Sequence, residues 1–326
     1  MPTNFGSQAI ILLALPIIFF TSCNNNHSAK KQEAKISNDD SMQKVLARGQ
    51  YLAVHVAACI HCHSKRDFTK YSGPVIPGTE GGGGQEFSHA ELDAIPGVIY
   101  SRNITPDSAT GIGTWTDAEI IRAITEGINK NGDTLFPLMP YASFNHMSKD
   151  DLLSIVAYLH TLKPIHNQVP PRQLMIPISL AYPAPALQKS IDGNKRPAES
   201  DVVNYGGYLV AMAGCADCHT PYVKGQPDFR RMFAGGNTFH LSAFSVTSAN
   251  LTSDSVTGIG GWDEKTFMNK FVTRRDKVSI DFNPGKLNTI MPVSEFAGMT
   301  DADLKAIFAY LHTLKPVKNL VVKYPE

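Results

Sequence analysis

Two short stretches of the chain carry the same pattern of cysteine and histidine. They read CIHCH at residues 59–63 and CADCH at residues 215–219. Two thiols about one helical turn apart face the same side, so both can form thioethers with the vinyl groups of one haem, and the next histidine can bind its iron. C-x-x-C-H is typical of c-type haem attachment. The sequence therefore predicts two covalently bound haem c groups, attached at Cys59, Cys62, Cys215 and Cys218, with His63 and His219 as iron ligands.

Other chemistries use part of this pattern. A single copy also fits half of a zinc site, and C-x-x-C alone fits a thioredoxin-like redox pair. The redox pair does not need the trailing histidine and expects a βαβ setting that the sequence does not indicate. The chain has five cysteines, so only Cys23 remains after the two pairs. No structural disulfide is predicted.

The sixth iron ligands are predicted to be Met139 and Met291. Each precedes a proline, which favours an extended backbone, and each lies shortly before the last predicted helix of its half of the chain. The alternative is a methionine that fills a gap in the core. The matched position of the two methionines favours ligation. A His/Met pair would raise the reduction potential of the iron.

The surroundings of the two motifs form a long internal repeat. Tyr51-Leu52 recurs as Tyr208-Leu209, and YLHTLKP recurs unchanged at residues 158–164 and 310–316. The patterns N-[IL]-T and T-G-I-G-x-W also occur twice, in the same order. Such a repeat predicts two copies of one fold. Helical periodicity before each motif and capping patterns at Thr116, Ser148 and Thr300 predict an all-α chain, in which each copy wraps around one haem. A glycine run at residues 81–84 is interpreted as a surface loop.

Composition divides the rest of the chain. An apolar run from Ala9 to Phe20 ends just before Cys23, which resembles a bacterial lipoprotein signal. The alternatives are an ordinary secretory signal with a free cysteine or an uncleaved anchor. We expect export to the periplasmic side of a bacterial membrane with a lipid on Cys23. The predicted order is signal peptide 1–22, flexible tether 23–40, first domain 41–164, Pro-rich linker 165–200 and second domain 201–326.

The charge of the chain is nearly balanced. It has 30 basic residues (Lys and Arg) and 29 acidic ones, a net charge of +1. A nucleic-acid-binding surface usually needs a clear excess of basic residues, so no nucleic-acid partner is predicted.

The ordered motifs resemble the cytochrome c subunits of membrane-bound bacterial alcohol, aldehyde and gluconate dehydrogenases. Those subunits usually carry three haem domains, whereas this sequence has two motifs. The resemblance implies class I cytochrome c folds in tandem and His/Met-ligated haems. It also implies electron transfer from a periplasmic or membrane dehydrogenase to the respiratory chain. By position, the resemblance implies that haem is bound by Cys59, Cys62, His63 and Met139 in the first repeat. In the second repeat the matching residues are Cys215, Cys218, His219 and Met291.

A second functional class is a di-haem peroxidase-like enzyme. It would need a haem with an open or histidine-filled site, which two matched Met-Pro sequences disfavour. No catalytic residue is predicted, and enzymatic activity is left open. The two classes differ in whether the reduced protein reacts with peroxide or carbon monoxide.

Overall fold

The computed structural model describes residues 40–92, 95–178 and 191–325. Contacts divide the chain into two units, Met1–Met42 and Gln43–Glu326. Of the first unit only residues 40–42 are described, and they are helical. The predicted signal peptide, Cys23 and nearly all of the predicted tether lie outside the described residues, as do residues 179–190 of the predicted linker.

Short helices and loops build the first repeat. A helix that starts in the first unit passes at Tyr51 into a π-helical turn, Leu52–Val56, and Ala58 then takes a left-handed conformation with φ of 49°. The first C-x-x-C-H motif therefore begins a new helix, separate from the helical pattern that precedes it. The helices are α1 (40–51), α2 (Cys59–Cys62), α3 (Asp117–Glu126), α4 (Tyr141–Phe144) and α5 (Lys149–His160).

The second repeat follows the same plan. Gly214, with φ of 63°, occupies the place of Ala58 and again separates the first helix from the motif. Glycine adopts this backbone conformation at little cost, whereas alanine does so rarely. The helices are α6 (Val202–Met212), α7 (Cys215–His219), α8 (Glu264–Val272), α9 (Val293–Phe296) and α10 (Asp301–His312).

The structure contains small antiparallel sheets, which the prediction of an all-α architecture did not include. The structure is mainly helical, but the described loops contain seven short strands, so the prediction was too simple. The hairpin β1–β2 of the first repeat matches β6–β7 of the second, and the start of the predicted linker adds β3 to the first sheet. The strands are β1 (Glu86–Ser88), β2 (Gly97–Tyr100), β3 (Gln173–Leu174), β4 (Tyr222–Val223), β5 (Gln226–Pro227), β6 (Thr238–Leu241) and β7 (Phe244–Thr247).

The predicted helix caps are present. Thr116 and Glu119 form a capping box at the start of α3. Ser148 accepts a hydrogen bond from the backbone N–H of Asp151, and Thr300 accepts the equivalent bond from Asp303. These bonds satisfy N–H groups that have no partner within the helix. Local sequence chemistry therefore fixes where the last helix of each repeat begins.

Two glycines let the first and last helices of each repeat cross closely. A Cβ on Gly49 would lie 1.8 Å from the carbonyl oxygen of Ser154 in α5, and a Cβ on Gly206 would lie 1.9 Å from that of Ala306 in α10. No side chain fits at such distances, so the backbones meet directly. In each repeat the crossing brings the last helix next to the C-x-x-C-H motif.

The two repeats contact each other through matched residues. The Tyr51 hydroxyl donates to Asp303 in the second repeat, and the Tyr208 hydroxyl donates to Asp151 in the first, at 2.7 Å. The same two hydroxyls accept from the backbone N–H groups of Thr300 and Ser148. Each first helix therefore helps to cap the last helix of the other copy.

The largest of three hydrophobic clusters in the described residues contains side chains from both repeats. Leu52 and Leu152 of the first repeat and Leu209 and Leu304 of the second are at most 1 % exposed and belong to one continuous cluster. Both repeats also lie within the unit Gln43–Glu326. The separate domains at 41–164 and 201–326 therefore remain a prediction. Among the described residues, no helix has both the length and the apolar character needed to cross a membrane.

Candidate haem-binding sites

Each motif histidine is held by one hydrogen bond to a backbone carbonyl. His63 Nδ1 lies 2.7 Å from the carbonyl oxygen of Arg102, and His219 Nδ1 lies 2.7 Å from that of Ala249. Because a carbonyl only accepts, Nδ1 must carry the proton, which leaves the lone pair of Nε2 available for a metal. Burial lowers the pKa of both histidines, so the neutral form that a metal requires is favoured.

The repeated Asn-x-Thr pattern supports those carbonyls. Asn103, next to Arg102, accepts hydrogen bonds from the N–H and hydroxyl of Thr105 and donates to the carbonyl of Ile165 at 2.7 Å. Asn250 makes the same bonds with Thr252 and Val317. Both asparagines are buried. This pattern therefore ties the chain beyond the last helix to the segment that orients each histidine.

A glycine also supports each histidine, a role that the glycine run itself does not indicate. The Gly83 N–H donates to the carbonyl of His63, and the Gly235 N–H donates to that of His219, both at 2.7 Å. A Cβ on Gly83 would lie 2.6 Å from the carbonyl carbon of Arg102. The prediction of a surface loop is wrong for residues 81–83, which are buried. The available signal was the glycine pair that recurs at residues 235–236.

None of the four motif cysteines forms a disulfide in the described part of the chain. Cys62 and Cys218 are exposed, and Cys59 and Cys215 are half-buried. Yet desolvation by burial raises the pKa of Cys59, Cys215 and Cys218 to about 12, and it also raises that of Cys62. A redox-active pair needs a lowered pKa, so the thioredoxin-like alternative is disfavoured.

Two matched pairs of methionines could supply a sixth ligand, and the structure separates them. Met139 and Met291 are half-buried at the edge of the core. Met147 and Met299 are 1 % and 2 % exposed, and each immediately precedes the N-cap of a last helix. That position is typical of a hydrophobic staple. The accessible pair is therefore the pair that the sequence predicted as ligands.

The last helix of each repeat lies beside its own motif. The Cys59 thiol helps to raise the pKa of Tyr158 in α5, after the larger effect of burial, and Cys215 does the same for Tyr310 in α10. Cys59, Cys215, Met139 and Met291 also all pack against the common core. The last helix and the motif of each repeat therefore lie close to each other.

The two motifs face each other across the contact between the repeats. His61 Nδ1, inside the first motif, lies 2.9 Å from a carboxylate oxygen of Glu295 in α9. Asp217, inside the second motif, accepts a hydrogen bond of 3.3 Å from Ser143 in α4. Glu295 and Ser143 occupy the same position after Met-Pro in the two repeats. Each motif therefore contacts the other repeat at a matched position.

Burial dominates the electrostatics of this contact. It raises the pKa of Asp217 to about 6. It also lowers the pKa of His61 by more than the nearby Glu295 carboxylate raises it. His61 and the Ser294 hydroxyl hold the pKa of Glu295 below its usual value, against the effect of burial. These shifts favour a neutral imidazole beside an ionised carboxylate, and sequence reasoning gave no indication of this pair.

The residues present suit a covalently attached haem. The donor set in each half is a histidine with a free Nε2, two accessible unpaired thiols and an accessible thioether. This matches the ligand chemistry of haem c. The cytochrome c family model matches residues 203–315. This part of the chain is a cytochrome c domain.

Two cytochrome c subunits of known dehydrogenases are similar to this chain over most of its length. The cytochrome c subunit of the quinone alcohol dehydrogenase of Gluconacetobacter polyoxogenes is 30 % identical over 288 residues, 85 % of this chain and 58 % of that subunit. The cytochrome c subunit of gluconate 2-dehydrogenase of Pantoea cypripedii is 30 % identical over 295 residues, 86 % of this chain and 62 % of that subunit. The resemblance predicted from the motifs is confirmed.

A smaller relative is also similar. A dihaem c-type cytochrome of Cereibacter sphaeroides is 30 % identical over 183 residues, 55 % of this chain and 58 % of that protein. The chain spans about 60 % of the length of the dehydrogenase subunits it matches.

Proposed function

We propose that the chain is a di-haem cytochrome c that transfers electrons and has no substrate chemistry of its own. The observation that carries the proposal is the duplicated histidine geometry. Both motif histidines have Nδ1 fixed by a carbonyl at 2.7 Å, beside two accessible thiols. One such site matches a cytochrome c domain, and the first repeat has the same residues at the same places.

Different residues of each repeat would attach the haem and bind its iron. Haem c supplies the one-electron couple of its iron when it is bound. The cysteines Cys59, Cys62, Cys215 and Cys218 would fix its orientation through thioethers, and His63 and His219 would bind the iron. The thioethers of Met139 and Met291 would favour the reduced state and close the sixth position. The facing motifs support electron transfer between the two halves of the chain.

The relatives suggest the partners. Two of them are subunits of alcohol and gluconate dehydrogenases. We propose that this chain likewise accepts electrons from a periplasmic or membrane dehydrogenase and passes them to an acceptor of the respiratory chain. Nothing in the described residues favours a peroxidase over this role.

The haem count tests the proposal. The intact protein is expected to keep two irons per chain after denaturation, because thioether bonds survive unfolding. Cys59→Ser combined with Cys62→Ser should leave one, and Cys215→Ser combined with Cys218→Ser should leave the other. Haem staining of denaturing gels, iron analysis and a reductive titration that consumes two electrons per chain measure this.

Cys23→Ser is the matched control for the haem count. It changes a cysteine outside both motifs and should leave two haems. A chain that holds a single haem, or that loses its haem on acid–acetone extraction, contradicts the di-haem assignment.

We also propose that the protein is exported and anchored by a lipid on Cys23. The support is the apolar run that ends at this residue and the extracytoplasmic attachment of c-type haem. Cys23→Ser is expected to abolish incorporation of a radiolabelled fatty acid and to leave the protein unprocessed by the lipoprotein signal peptidase. Unchanged labelling in this variant would remove the anchor from the proposal.

A further inference from the structure

Two segments of unequal length break the symmetry of the repeat. The segment from His63 to Gly84 is four residues longer than the one from His219 to Gly236. The segment from Trp262 to Met291 is five residues longer than the one from Trp115 to Met139. The structure packs the longer segment of the first repeat against the longer segment of the second.

Asn288 is the centre of this contact. It is 1 % exposed, and its side-chain oxygen accepts from the backbone N–H of Ser72 at 2.9 Å. Its amide nitrogen donates to the carbonyls of Phe68 and Lys70, at 2.9 and 3.0 Å. A buried amide with its polar atoms all bonded holds its partners firmly, because each broken bond would leave a buried polar group without a partner.

Surrounding contacts hold the two segments together. Tyr71 and Phe282 stack with 5.6 Å between ring centroids, and the Arg274 guanidinium lies over both rings. Lys70 pairs with Asp281 at 2.7 Å on the exposed side. These contacts therefore fix the longer segment of the first repeat against the longer segment of the second.

Ser72 connects this contact to Met291. The Ser72 side chain is completely buried, and its hydroxyl donates to the Met291 carbonyl at 2.6 Å. Ser72 has φ of 69°, a conformation that costs energy for serine. A strained residue whose hydroxyl meets the carbonyl of the predicted iron ligand indicates a functional constraint.

The first repeat has no equivalent bond within the described residues. The backbone of Met139 bonds with Phe136 and Tyr141, both from its own repeat. Met291 has the counterpart of the Tyr141 bond, from Val293, and receives the Ser72 bond in addition. The two methionines are therefore held differently.

We propose that Ser72 is a positioning residue for Met291, so that the first repeat sets the strength of sixth-ligand binding in the second. The inference rests on the proposed function, since it requires Met291 to be the sixth ligand. The Ser72 bond restrains the backbone from which the thioether extends. Without it the thioether dissociates more readily, and a competing ligand replaces it at lower concentration.

Imidazole competition in single-site backgrounds tests the proposal. With Met139→Ala present, the sulfur-to-iron charge-transfer band of the oxidised protein reports Met291 alone. Adding Ser72→Ala is expected to lower the imidazole concentration that removes half of this band by about fivefold, the effect of one net hydrogen bond. With Met291→Ala present, the band reports Met139, and Ser72→Ala should leave its imidazole midpoint unchanged.

Ser72→Gly separates positioning from general stability. Glycine accepts positive φ without strain, so this variant loses the hydroxyl while its thermal unfolding midpoint stays level or rises. Its imidazole midpoint is still expected to fall about fivefold. Thr69→Ala is the control, because the Thr69 hydroxyl bonds only within its own segment, to Asp67.

The outcomes distinguish the two proposals. If both Ser72 variants keep the imidazole midpoint of their parent, or if the Met139 band shifts equally, the positioning role is overturned while ligation stands. If the band is unaffected by Met291→Ala and Met139→Ala, methionine ligation itself fails, and this assignment fails with it.

Discussion

Met291→Ala is expected to remove about half of the sulfur-to-iron charge-transfer absorbance of the oxidised protein, and Met139→Ala about the other half. The double variant should lose the band entirely. Each loss opens a coordination position, so carbon monoxide should bind to the reduced single variants at one haem and to the double variant at two. A thioether favours ferrous iron, so the reduction potential of the affected haem should also fall.

The buried methionine pair provides the matched control. Met147→Leu and Met299→Leu replace side chains that are at most 2 % exposed. Leucine has a similar volume, so the core should accept it at a cost of less than about 1.5 kcal/mol. Both variants should keep the whole band. A loss of absorbance in Met147→Leu or Met299→Leu would move the ligand assignment to the buried pair.

The same measurement separates electron transfer from peroxidase chemistry. An unmutated protein with two closed haems should not bind carbon monoxide and should not turn over peroxide. If it already binds carbon monoxide at one haem, the peroxidase-like alternative gains support over the electron carrier.

Gly206→Ala and Gly49→Ala are each expected to destabilise the fold strongly. Alanine is the better helix former by about 1 kcal/mol, but its Cβ at residue 206 would lie 1.9 Å from the Ala306 carbonyl oxygen. Separating two packed helices should cost about 3 kcal/mol, the upper end of the usual cost of overpacking, which outweighs the gain. Thermal unfolding followed by circular dichroism, together with the haem content of each variant, measures this.

Gly193→Ala is the control for the two helix crossings. A Cβ on Gly193 would meet no atom within 4 Å, and its φ is not in the left-handed region. It should unfold at the wild-type temperature with both haems. If Gly206→Ala behaved in the same way, direct backbone contact between α6 and α10 would be refuted.

Local chemistry made much of the candidate site predictable. The spacing of Cys215, Cys218 and His219 predicts two thioether bonds and one histidine–iron bond within five residues. This prediction needs no tertiary information. The caps at Thr116, Ser148 and Thr300 are also local, because an N-cap bonds to a backbone group three residues later. The internal repeat then doubled each of these observations.

Backbone details within the repeat were harder to predict. Ala58 gives no sign that it takes a left-handed conformation, since alanine rarely does, so the break between α1 and α2 was not foreseen. The short hairpins were hidden in segments rich in glycine and proline. Their strands have at most four residues, too few for alternation of polar and apolar residues to be visible.

The sequence by itself determined the duplicated plan, and it predicts the haem-attachment residues and the two candidate ligand methionines. Only the tertiary structure decided that His61 meets Glu295, that the two motifs face each other and that Ser72 bonds to Met291. Ser72 and Met291 are 219 positions apart, and nothing in the spacing of one repeat specifies its pairing with the other. Contacts of this kind depend on how the surfaces of the two repeats fit, and this fit is settled only when the common core packs.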